Sequence, residues 1–156
     1  MAHLKSAELL LLSSSNSSVG SANGSSTSND EQQQIKNVQN KLQNCIDDCT
    51  LALQQLDLTP ISSTSSTKED EESKLNLRSK LLYRNAKALV TLVNLSSSLT
   101  SSTSTSSSMS SSSKEKKLNE AAKHLLQLLQ IQPTNKDASL LLNQVRSIHT
   151  SMNGSG

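Results

Sequence analysis

The chain has 156 residues and a formal net charge of +2; 33 % of its residues are hydrophobic and 1 % aromatic. So small an apolar share confines any core to part of the chain, and the near-balance of charge excludes the single-sign field of a dedicated nucleic-acid binder. With Tyr83 the one aromatic side chain, the chain also lacks a platform for stacking unpaired bases, so no nucleic-acid partner is expected.

Residues 1–12 carry Lys5 and a run of leucines broken by Glu8. The run is too short for a signal-peptide core and reads as a short helix. No apolar stretch reaches the roughly 18 residues that a membrane span needs, so a cytoplasmic chain with no membrane partner is expected. Residues 13–28 are a serine- and asparagine-rich insertion, expected to be disordered for want of apolar surface. Over 29–59, Ile35, Val38, Leu42, Cys45, Cys49, Ala52 and Leu56 recur at alternating steps of three and four, which predicts one face of a helix. Asn29 or Asp30 is expected to cap it, and it should stop before Pro60, whose ring disfavours helical geometry in the preceding residue.

Residues 60–67 read as a linker. A second helix is predicted over 68–95, because Glu69, Asp70, Glu71 and Glu72 suit the electropositive start of a helix and Leu82, Ala86, Leu89 and Val93 then share one face. Lys80, Arg84 and Lys87 share another. Residues 96–113 are almost pure serine and threonine and offer little to offset the entropy of ordering the backbone, so disorder is expected there. Ser112 and Glu115 have the spacing of a capping box, and Leu118, Ala121, Leu125 and Leu128 make the stripe of a third helix over 114–132, before Pro133. A fourth helix follows over 134–150, capped by Thr134 or Asn135, with Ala138, Leu141, Leu142, Val145 and Ile148 on its apolar face. Residues 151–156 are a tail expected to fray. The predicted fold class is all-α.

Lys80-Leu-Leu-Tyr-Arg-Asn-Ala-Lys-Ala-Leu, followed later by Leu118-Asn-Glu-Ala-Ala-Lys-His-Leu-Leu-Gln-Leu-Leu-Gln-Ile-Gln-Pro-Thr-Asn, resembles one tetratricopeptide repeat split at its inter-helix turn. Ala86 and Ala121 then take the small positions at which the paired helices of such a repeat approach closely, and Pro133 takes the closing proline. Asn44-Cys-Ile-Asp-Asp-Cys-Thr-Leu-Ala-Leu resembles the second helix of a preceding repeat, and Ala2-His-Leu-Lys the end of that repeat's first helix. The resemblance implies antiparallel helical hairpins, a partial α-solenoid interrupted by serine-rich insertions, with 134–150 as a capping helix. The repeats of this kind found in heat-shock co-chaperones, the myosin-chaperone family among them, hold acidic chaperone tails in a clamp of lysine, arginine and asparagine. Lys80 and Arg84 match the clamp's last pair, and Lys87 extends the same basic stripe. The implied partner is thus another protein, through the acidic C-terminal peptide of a heat-shock chaperone.

Enzymatic chemistry finds no pattern to support it. His3, His124 and His149 are scattered, and no phosphate-cradling glycine loop or nucleophile motif occurs. Cys45 and Cys49 lie one helical turn apart, a spacing that suits core packing better than a disulfide or a zinc site, so no metal or cofactor is expected. Asp47 and Asp48 are adjacent and diverge around the helix. The serine tracts offer phosphorylation sites whose charge would compete with an acidic ligand. The alternative to a peptide receptor is a structural helical element that completes its core by oligomerising or by docking onto a larger assembly.

Overall fold

The apolar stripes fold as helices. A computed structural model of the chain describes residues 27–58, 67–98 and 109–154. It contains helices α1 (Thr27–Leu58), α2 (Lys68–Ser98), α3 (Ser111–Ile131) and α4 (Lys136–Asn153), with no strand among the described residues. The fold is all-α. The expected helix over 1–12 and most of the expected insertions lie outside the described residues.

Side-chain pairs give the sense of the packing. Thr50 of α1 meets Asn85 of α2, and seven residues further along α1 Asp57 meets Arg78, earlier in α2, so the two helices run antiparallel. At the far side of the array, Glu115 in the first turns of α3 lies 3.9 Å from His149 near the end of α4. The helices stack in chain order: α1 on α2, α2 on α3 and α3 on α4, with a lighter contact between α2 and α4. Among the described residues α1 does not pack on α3 or α4, and its link to α3 is a hydrogen bond from Lys117 Nζ to Gln43 Oε1 at 3.4 Å.

Helix α2 is therefore the central element. It buries Leu82, Ala86, Ala88, Leu89, Val90, Leu92 and Val93, an arc much wider than the predicted stripe, because it is covered from both sides. The predicted faces of α3 and α4 hold closely: Leu118, Ala121, Leu125 and Leu128 are buried, as are Ala138, Leu142 and Val145, while Leu141 and Ile148 pack at the rim. The stripe of α1 is different. Leu42 and Cys49 are buried as expected, but Ile46 and Leu53 take the core positions that the spacing assigned to Cys45 and Ala52, which are half-buried. Positions 45 and 46 lie on adjacent columns of the helix about 100° apart, and the approach of α2 selects the second.

The helix ends also move. α1 begins at Thr27, so Asn29 and Asp30 lie inside the helix and do not cap it. α2 is capped by Thr67, which donates its hydroxyl to Asp70 Oδ2 at 3.0 Å while its amide reaches the same oxygen at 3.3 Å. Both bonds run to the Asp70 carboxylate, the half of a capping box in which the third helical residue reaches back to the cap residue. α2 continues through Ser98, into the tract expected to be disordered. Buried Ser96 returns its hydroxyl to Leu92 O at 2.8 Å, so its polarity carries no burial penalty. α3 starts at Ser111 with Ser110, not Ser112, as its cap, accepting from Ser113 N at 3.3 Å. Met109, just before that cap, packs against the core and anchors the start of the helix. Asn135, not Thr134, caps α4, accepting from Ala138 N at 3.0 Å, and α4 runs to Asn153, into the expected tail.

Candidate functional site

Lys80, Arg84 and Lys87 fall on α2 at steps of four and three, so the helix brings all three to one face, away from its buried arc. Lys80 is exposed, and Arg84 and Lys87 are half-buried. Among the described residues neither Lys80 nor Arg84 is paired with a carboxylate. A basic residue of α2 tied to an acid is found at Arg78, which pairs with Asp57 of α1.

Arg84 also acts toward α1. Its charge favours the thiolate forms of Cys45 and Cys49 across the α1–α2 interface. Cys49 is buried and Cys45 half-buried. The neighbouring Cys49 thiol is the foremost influence on Cys45 and lowers it, against the opposing effects of burial and the Asp48 carboxylate. Cys49 is pushed up by its neighbour Cys45 and by burial. Beside Cys45 opens a pocket of about 220 Å³, lined among the described residues by Lys41, Asn44, Cys45, Asp47 and Asp48. Among the described residues no group of three or more histidine, cysteine or carboxylate side chains is arranged to hold a metal ion.

The histidines do not converge. His3 lies outside the described residues, His149 faces Glu115, and His124 is half-buried with no partner for Nδ1 among the described residues. Burial lowers His124 from its ordinary value, with Glu120 opposing.

Asn85 is the polar residue that the sequence analysis passed over. It is fully buried between α1 and α2, donating from Nδ2 to Thr50 Oγ1 at 3.1 Å, while Oδ1 has no partner among the described residues. Thr50 in turn donates to Ile46 O at 2.8 Å. The signal was present in the sequence, since Asn85 lies three residues after Leu82 and four before Leu89, inside the apolar face.

No family model, curated protein or solved structure matches the chain. The functional reading therefore stands on the chain's own residues. Among the described residues, no helix is long and apolar enough to cross a membrane.

Proposed function

We propose that the chain is a protein–protein interaction module of tetratricopeptide type, a cytoplasmic co-chaperone-like adaptor that takes the acidic C-terminal peptide of a heat-shock chaperone through Lys80, Arg84 and Lys87. The observation that carries the reading is Lys80 and Arg84 one turn apart on the central helix, with no carboxylate of the described residues neutralising either. An unpaired guanidinium and ammonium on one rigid face suit a peptide that ends in two closely spaced carboxylates. The arginine fork takes one of them in paired hydrogen bonds and the lysine acts as a point charge on the other. Arg84 is half-buried, so less side-chain freedom is lost when it binds. The stacking of helices in chain order also supports the reading, since an open array leaves a face of its central helix accessible where a closed bundle would cover more of it.

Each charge-assisted bond contributes about 1.5–3 kcal/mol. Arg84→Ala should therefore weaken a peptide ending in Glu-Glu-Val-Asp by roughly 10- to 100-fold in isothermal titration calorimetry. Amidating the peptide's C-terminus should have a similar effect. Equal affinity for parent and variant, or no heat with either, would sink the proposal.

A second reading, the docking element, draws on the exposed leucines Leu58, Leu75 and Leu77 at the end of the array where Asp57 meets Arg78. Helicity that rises with protein concentration would favour it over an autonomous receptor.

A further inference from the structure

We propose that α2 is also a self-association surface, pairing antiparallel with α2 of a second copy so that Asp70 of each chain meets Arg84 of the other and Leu77 meets its own counterpart on the two-fold axis. The start of α2 stands clear of its neighbours. α1 ends one residue past Asp57, which meets Arg78. α3 runs back along α2 from the bond between Lys114 and Ser97, so at equal rise it ends level with about residue 80. Residues 68–77 therefore project beyond both as about three turns of helix, with every residue exposed.

Charge and apolarity are laid out symmetrically about this stretch. Asp70, Leu77 and Arg84 are spaced by sevens, so they share one face with a drift of only about 20° per step. Leu77, at 43 % exposure, stands midway between a carboxylate and a guanidinium. Turned end over end about Leu77, the face maps onto itself with the two charges exchanged, which is what an isologous contact requires. The pair of copies then gains two Asp70–Arg84 contacts and one leucine contact. None of them can form within one chain, because a rigid helix holds Asp70 about 21 Å from Arg84.

Both charged groups are open to the contact. Arg84 has no carboxylate against it among the described residues. The bonds from Thr67 both end on Asp70 Oδ2, which leaves Oδ1 as an acceptor for the guanidinium. Neighbouring charges act in the same sense, with Glu69 beside Asp70 and Lys80 one turn from Arg84. Lys74 and Lys80 flank the face on opposite sides, about 120° apart, so the two-fold axis does not set one against the other. Exposed ion pairs are individually weak and screened by salt, so the dimer forms at high protein concentration and residues 68–77 stay uncovered in dilute solution. The contact uses the arginine of the peptide-receptor reading without resting on that reading.

Sedimentation equilibrium of the full chain over the micromolar to millimolar range tests the pairing. The parent should show a monomer–dimer equilibrium that weakens at least about threefold from low to high salt. Asp70→Lys and Arg84→Glu should each stay monomeric, since each sets like charges against each other, whereas an equimolar mixture of the two should associate because their charges are again complementary. Circular dichroism establishes that the variants are folded. Leu77→Cys keeps both charges and tests the contact independently of them: mild oxidation should link two copies through the introduced thiols, located by peptide mass mapping, faster than through Cys45 or Cys49. A parent that stays monomeric throughout, folded charge variants that fail to associate on mixing, or introduced thiols that link no faster than Cys45 would overturn the proposal. None of these measurements contains a chaperone peptide, so their failure and that of the peptide titration are told apart.

Discussion

Two side chains carry more consequence than their positions in the sequence suggest. Asn85 is fully buried with its amide nitrogen bonded and its oxygen without a partner among the described residues. A buried carbonyl left unsatisfied costs about 1–3 kcal/mol, while a replacement of similar volume without polar atoms is close to neutral. Thr50 still has Ile46 O as its acceptor when the amide is removed. Asn85→Leu should therefore leave the urea midpoint unchanged or raise it, whereas Asn85→Asp, which buries a carboxylate whose outer oxygen has no hydrogen-bond partner among the described residues, should lower stability by about 3 kcal/mol or more. A leucine variant that loses more than about 2 kcal/mol would mean that the oxygen has a partner after all. His124 sets a pH dependence. Burial holds it below its ordinary value of 6.5, so on acidification the unfolded chain takes up the proton first. Its contribution to stability is therefore flat above that value, falls as pH drops below 6.5 toward the lower folded value, and levels off beneath that. Urea denaturation at intervals from pH 7.5 to 5 should show this decline, and His124→Gln should flatten part of it; identical slopes would place the titration elsewhere.

At the scale of the helices, the caps decide where order begins. Asn135 accepts from Ala138 N, and Asn135→Ala should cost about 1 kcal/mol, measured as a shift in thermal midpoint. The α-helical fold was legible because each segment carries its own stripe, and α3 and α4 bury nearly the residues that their spacing implies. In α1 the spacing could not choose between Cys45 and Ile46, or between Ala52 and Leu53, because that choice belongs to the helix that packs against it. At its described ends, 96–98 and 109–113, the serine tract is ordered where composition implies disorder. Average composition hides one anchor, Met109, and it hides serines such as Ser96 that return their hydroxyls to the preceding turn. The basic face of α2 was legible because spacing alone aligns Lys80 with Arg84. The different burial of Cys45 and Cys49 was not, since it depends on how α2 packs against α1.

At the scale of the molecule, the order of contacts predicts stability as a chain of nearest-neighbour terms. Among the described residues α1 packs on α2 but not on α3 or α4, and α4 packs chiefly on α3. The most protected amides should therefore lie in 82–93 of α2 and 118–128 of α3, where Leu82, Leu89, Val93, Leu118, Leu125 and Leu128 are almost wholly enclosed. The first ten residues of α2, 68–77, are exposed throughout and should exchange quickly despite being helical, since no packing opposes their local opening. Leu53→Ala separates this arrangement from a closed bundle. Leu53 is a core residue of α1, and its truncation costs about 2–5 kcal/mol at a well-packed site. In a closed four-helix bundle that loss would be shared, and exchange would accelerate in every helix. In a stack it loosens α1 against α2 first, so amides of 42–57 should exchange faster while those of 118–128 and 138–148 keep their parental rates under native conditions. Equal acceleration across all four helices would show that α1 is cooperative with the far end of the array, and the open stacking would then be too weak a description of how the molecule holds together.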